Sequence, residues 1–134
     1  ENAVLSGLAD RPIRWIVDDA LKFVRREERR GVRYEGLVMD PPKFGRGPKG
    51  EVWEFFELFP TLLEACRQIL SPEPLFVVIT AYAIRASALS LHYGIQDWLG
   101  RTDGTLETGE LALVESSAGR MISTAIYTRW KAGE

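Results

Sequence analysis

Residues Glu35–Asp40 read EGLVMD, and the chain runs from them straight into Pro41-Pro42-Lys43-Phe44-Gly45-Arg46-Gly47. Leu37, Val38 and Met39 are contiguous and apolar. That is the pattern of a strand buried on both faces, not of one that alternates between core and water. The two prolines end it, because proline has no N–H to give to a sheet and a fixed φ. A buried strand that stops in a Pro/Gly-rich loop suits a parallel sheet. In open α/β sheets, ligands sit just outside the carboxyl ends of the strands. The loop that begins at Asp40 is therefore also the first place to look for function.

The flanking segments repeat the pattern. Upstream, Ile13–Val17 (IRWIV) follows Pro12 and reads as a short strand of β-formers. Asp18-Asp19 is an N-cap signal for a helix over Ala20–Arg30, which turns Leu21, Phe23 and Val24 inward and ends at Gly31. Residues 1–8 (ENAVLSGL) read as the last turns of a helix closed by Gly7. That helix would start before Glu1, so the chain is expected to be part of a longer protein. Downstream, Glu51–Leu70 carries Val52, Phe55, Phe56, Phe59, Leu62, Leu63, Cys66, Ile69 and Leu70 at close to a 3.6-residue period, the stripe of an amphipathic helix. Pro60 inside it is expected to kink or split it. Leu75–Thr80 (LFVVIT) is a second continuous apolar strand, and Arg85–Leu99 a further helix with Gly94 as its weak point. Leu106–Ser116 and Met121–Trp130 form a closing antiparallel hairpin. Strands alternating with helices predict an α/β fold: a three-layer sandwich on a mostly parallel sheet, with the hairpin at its edge.

The 134 residues suit one domain, and a formal net charge of -2 gives no global bias toward nucleic acid or membrane. Cys66 is the sole cysteine and His92 the sole histidine, so neither an internal disulfide nor a Cys/His metal cluster can form. This composition suits a reducing cytoplasm, and no metal is implied. No apolar run approaches the roughly 18 residues of a membrane span.

The chemistry concentrates in the loop. Asp40 supplies a carboxylate, Pro41 and Pro42 supply rigid carbonyls free to accept hydrogen bonds, and Phe44 supplies an aromatic face. Together they suit a planar, donor-bearing substrate such as a base. Lys43, Arg46 and Lys49 are placed to meet phosphates, although basic loop residues more often only face water. Asp18 and Asp19 need be no more than a cap, and Asp-Pro-Pro no more than a turn. Cys66 sits on the apolar stripe and reads as inert core. Tyr82, just past LFVVIT, reads equally as a half-buried strand end or as a wall of the target pocket. Trp15, Trp53, Trp98 and Trp130 read as core or interface residues, and His92 receives no role.

Asp-Pro-Pro followed by an aromatic resembles the fourth conserved motif of class I S-adenosylmethionine (SAM) dependent methyltransferases that act on bases and amines. The longer string DPPKFGRGPKGEVW (40–53) is similar to bacterial class I methyltransferases related to the ribosomal RNA large-subunit cytosine methyltransferases. WIVDDALKFVRREERRGVRYEGLVMD (15–40) fits the same family at the right spacing, and so does ENAVLSGL. The resemblance covers nearly the whole chain. It implies that residues 1–134 are the C-terminal part of a catalytic domain with a Rossmann-like fold, SAM as cofactor and an RNA substrate. It places Asp19 at the adenine amino group, with Asp18 as competitor, and the Ala20 N–H at the adenine ring. Asp40 would stand near both methyl donor and target. Pro41, Pro42, Lys43 and Phe44 would shape the target pocket, with Arg46 and Tyr82 also on the substrate side.

Two departures from the family carry consequences. Its glycine-rich loop after the first strand, and the acidic residue that ends its second strand, do not occur in these residues. The resemblance places those first two strands between IRWIV and GLVMD. The sheet is thus expected to lack its first strands, to expose edges open to self-association, and to bind SAM poorly. Methylation at carbon 5 of cytosine also needs an attacking thiolate. The family's cysteine for that purpose corresponds to a place that here reads Ile79-Thr80-Ala81-Tyr82, so this chemistry is not expected. Two rival readings stay open: a non-catalytic methyltransferase-like module that binds RNA or a protein, and an NAD-type oxidoreductase. Asp-Pro-Pro-Lys-Phe argues against the second.

Overall fold

A computed structural model of the chain describes residues 1–48 and 50–133. The elements run α1 (Asn2–Leu5), α2 (Ala20–Arg29), β1 (Gly36–Met39), β2 (Phe44–Arg46), β3 (Val52–Glu54), α3 (Phe55–Ile69), β4 (Phe76–Ala81), α4 (Ala88–Leu99), β5 (Gly104–Val114) and β6 (Met121–Ala132). The main sheet has the order β1-β4-β6-β5, and β2 and β3 form a separate two-stranded sheet. β1 and β4 are parallel, while β6 runs antiparallel to both β4 and β5. This is a mixed α/β fold with the predicted antiparallel hairpin at its C-terminal end.

Register assigns the two faces. Leu37 and Met39 stand opposite Val77 and Ile79, which stand opposite Trp130 and Thr128. Those β4 and β6 residues are all buried, and they join Phe55, Phe59, Leu62, Leu63, Cys66 and Ile69 of α3 and Leu91, Ile95, Trp98 and Leu99 of α4 in one core. The alternate residues point the other way, and that face stays open: Val38 is 69% exposed and its neighbour Phe76 is exposed as well. The described residues therefore contribute a sheet and one helical layer of the three layers expected.

The predicted strand Ile13–Val17 is not one. It has no regular structure and no strand partner, with Trp15 75% exposed. β-forming side chains do not make a strand without a neighbouring backbone to take their N–H and C=O groups, and no described strand lies beside this segment.

Local signals set the helix ends. Asp19 caps α2 by accepting from the Lys22 amide at 2.8 Å. Glu54 caps α3, accepting from the Glu57 amide at 3.1 Å. α3 therefore begins four residues later than the apolar stripe suggests, because Val52–Glu54 is spent on β3. Pro60 does not split α3. It has no N–H to give the Phe56 carbonyl one turn earlier, and both residues are exposed. Ser87 caps α4, later than predicted, and Gly100 ends it at φ +58. No helix among the described residues is long and apolar enough to cross a membrane.

Candidate functional site

An open cleft of about 710 Å³ runs along β1, from Tyr34 before the strand to Pro42 beyond it, between the segment before α2, α2 itself and α3. Trp15 and Ile16 form one wall, with β1 and Trp53 opposite. Of the residues singled out from sequence, the structure brings Asp18, Ala20, Asp40, Pro41 and Pro42 together on its lining. Lys43, Phe44, Arg46, Tyr82 and Asp19 are not on that lining, and Lys49 lies outside the described residues.

The two aspartates at the entry to α2 are already in use. Asp18 accepts from the Asp19 amide at 2.9 Å and from Arg26 at 2.8 Å. The hydrogen bond from Arg26 is the main reason its carboxyl is held below the ordinary range. Asp19 spends Oδ1 on the cap of α2. The capping reading thus holds for Asp19, whereas Asp18 pairs with Arg26 and caps no helix amide.

Asp40 stands at the other end of the cleft, exposed, just past β1. Thr80, on the neighbouring parallel strand β4, donates to its Oδ1 at 2.5 Å. Beyond β4 the chain turns at Ala83, whose φ of +55 is unusual for a residue with a side chain. Tyr82, just before it, is exposed.

The Asp-Pro-Pro loop is more ordered than its composition suggests. Its return strand β3 pairs with β2, matching Phe44 with Glu54, Gly45 with Trp53 and Arg46 with Val52. Phe44 and Arg46 share one face of this small hairpin. There Phe44 is 53% exposed, and the Arg46 guanidinium lies 5.9 Å from its ring centroid. Trp53 points the other way, into the cleft lining, and donates its indole N–H to the Pro42 oxygen at 2.5 Å. The Lys43 oxygen accepts from the Phe55 amide at 3.0 Å. The expectation that both proline carbonyls are free is therefore corrected: the Pro42 carbonyl is occupied from within the loop. Trp53 is a site residue that sequence reasoning missed, having been placed in a helix and read as a core or interface residue. Its only signal was its position inside the string DPPKFGRGPKGEVW.

Cys66 is 2% exposed, with its sulfur 3.9 Å from that of Met39. Burial pushes its thiol up to about 11. The sole cysteine of the chain is no nucleophile at neutral pH.

With this geometry in view, the solved structures identify the architecture. The chain matches a SAM-dependent methyltransferase from Agrobacterium tumefaciens at 48% identity over 98% of its own length, with a TM-score of 0.85. Its fold is that of the SAM-dependent methyltransferases. A Streptococcus mutans protein assigned to the same class aligns with 87% of the chain and 30% of its own, at 16% identity and a TM-score of 0.62. The precorrin 8w decarboxylase of Methanobacterium thermoautotrophicum aligns with 98% of the chain and 61% of its own, at 14% identity and a TM-score of 0.54. The methyltransferase fold thus also appears under a different activity, and fold alone does not decide function. The chain spans 44% of the length of the Agrobacterium protein. No protein-family model and no curated protein sequence matches it.

Proposed function

We propose that these residues form the acceptor side of a SAM-dependent methyltransferase site. One observation carries the reading. A single cleft along β1 has both Asp18 and Ala20 and, past the carboxyl end of the strand, Asp40-Pro41-Pro42 on its lining, in a chain 48% identical to part of a SAM-dependent methyltransferase. The cleft fits the cofactor's chemistry. Its apolar side chains, Ile16 and Phe23 among them, suit an adenine ring, and the carboxylates at the α2 entry suit the adenine amino group. SAM supplies an activated methyl group. The chain's own part is to hold the acceptor in line, which is where most of the rate comes from in such transfers. Asp40 orients the acceptor or takes its proton, and the occupied Pro42 carbonyl keeps the loop rigid around it.

The proposed acceptor is RNA. Exposed Phe44 with Arg46 over it, flanked by Lys43, offers a stacking face for an unpaired base and a cation for its phosphate. Buried, protonated Cys66 gives no support to carbon-5 attack on cytosine. The 134 residues alone are expected to bind SAM weakly, because they contain neither the glycine-rich loop nor the ribose-binding acid that the resemblance implies.

The test is a calorimetric titration of SAM into this chain and, alongside, into the full-length gene product. Radiolabelled methyl transfer to total RNA then follows. Binding by the full-length protein and labelling of RNA are the expected results. If neither form binds SAM, the catalytic reading fails, and a non-catalytic module that binds RNA or a protein replaces it.

A further inference from the structure

We infer that Thr80 is a positioning residue for Asp40, and through it for the methyl acceptor. This rests on reading the cleft as a methyl-transfer site. β1 and β4 are parallel neighbours with Met39 opposite Ile79, so residues 40 and 80 lie side by side at the carboxyl edge of the sheet. Thr80 is still inside the ladder, paired with Tyr127, and its backbone is fixed there. Its β-branched side chain has few rotamers. Asp40 has left the strand and precedes a proline, which confines its backbone to extended conformations. A rigid donor therefore meets a carboxylate held by a stiff chain at 2.5 Å. With Oδ1 committed to Thr80, Oδ2 faces the acceptor in a fixed direction.

The plainer alternative is that Thr80 merely ties two strand ends together. The geometry disfavours it. Thr80 belongs by register to the open face of the sheet, with Phe76 and Val78, and not to the core face of Val77, Ile79 and Ala81. The Thr80 side chain is only half-buried on this face, so among the described residues water can reach it and burial does not force it onto Asp40. A valine of the same shape serves the strand as well, so the hydroxyl matters only for what it does to Asp40. No ion pair holds Asp40 among the described residues, which leaves the Thr80 hydroxyl to orient it.

The experiment compares Thr80→Val and Thr80→Ser in the full-length gene product. Thr80→Val is expected to keep the melting temperature and SAM affinity of the wild type. Its kcat for methyl transfer falls about tenfold or more with KM for SAM unchanged, and Thr80→Ser restores most of the loss. A Thr80→Val enzyme with wild-type kcat, or a Thr80→Ser enzyme as slow as Thr80→Val, overturns the proposal. An arm independent of activity uses 13C-labelled aspartate. The Asp40 carboxyl resonance should move, and its side chain become rotationally averaged, in Thr80→Val. An unmoved, unaveraged Asp40 defeats the positioning role even in an active enzyme. A wild type that binds no SAM, while Thr80→Val still frees Asp40, sinks the methyl-transfer reading and spares the Thr80–Asp40 tie.

Discussion

The indole N–H of Trp53 donates to the main-chain oxygen of Pro42 at 2.5 Å, so the loop that leaves β1 is latched by its own return strand. The bond joins the inner face of the β2–β3 hairpin to the segment that carries Asp40. Trp53→Phe removes the donor and keeps a ring in place. It should cost about 1 kcal/mol of stability, the usual net value of one hydrogen bond. Urea denaturation measures the total. Hydrogen exchange locates it: amides of residues 44–54 should exchange faster, and those of β5 and β6 should not. Unchanged exchange in the hairpin would show that the latch is not needed.

The parts of the fold set by composition were legible in the sequence. GLVM and LFVVIT announce themselves as continuous apolar strands, the second observed one residue later as Phe76–Ala81, and the stripe from Phe55 to Ile69 announces α3. The misreadings have physical reasons. Glu51–Glu54 reads EVWE, which fits the first turn of an amphipathic helix as well as a strand of three residues. Only the pairing of Trp53 with Gly45 decides for the strand. IRWIV has the right residues for a strand, but strand formation depends on a neighbour that no local pattern supplies. Asp40 and the Pro-Pro step could be picked out from sequence. Their partner Thr80 could not, because a contact across parallel strands depends on register.

Glu27 of α2 is 3% exposed and accepts from the Tyr34 hydroxyl at 2.7 Å and from Arg30 at 3.1 Å. Its pKa is lowered below the ordinary value of 4.5, chiefly by the Tyr34 hydrogen bond, with burial opposing and Arg30 assisting. A lowered folded pKa contributes stability that is present above the unfolded value. That contribution is lost as pH falls through the folded one. The Tyr34 phenol is raised above 10.0, first by burial and then by Glu27. Its contribution is present below that value and is lost as pH rises through the folded one. The melting temperature should therefore hold a plateau between about pH 5 and 9 and fall on both sides. Tyr34→Phe should lower the plateau and flatten the acid limb. A variant that melts in parallel with the wild type from pH 7 down to pH 3 would show that the pair is not linked to folding.

Among the described residues β1 has a hydrogen-bonded neighbour, β4, on one side only, and Val38 within it is exposed, on the same cleft as exposed Trp15. An unpaired strand edge with apolar side chains is a template for another chain. We expect the 134-residue chain to self-associate through this edge. Its sedimentation coefficient should rise with concentration, and Val38→Lys should shift it toward the monomer. A concentration-independent monomer in both forms would refute the expectation.

Asp18 and Asp19 compete for one role, and their hydrogen bonds separate them. Asp18 lies on the cleft wall, but Oδ1 is taken by the Asp19 amide and Oδ2 by Arg26. Asp19 lies off the cleft lining but has spent only Oδ1, on the cap of α2, so its Oδ2 is the acceptor we propose for the adenine amino group. The two duties of Asp19 can be pulled apart by substitution. Asp19→Ala loses both and should cost about 1 kcal/mol of stability as well as cofactor affinity. Asp19→Ser keeps the cap, since serine caps about as well as aspartate, but withdraws the carboxylate. In the full-length gene product, Asp19→Ser should unfold at the same urea concentration as the wild type and bind SAM about tenfold more weakly, the scale of one hydrogen bond to a charged group. Calorimetry and denaturation on the same three proteins give both numbers. Wild-type affinity in Asp19→Ser would reduce Asp19 to a cap. The adenine role would then pass to Asp18, which would have to release Arg26 to perform it.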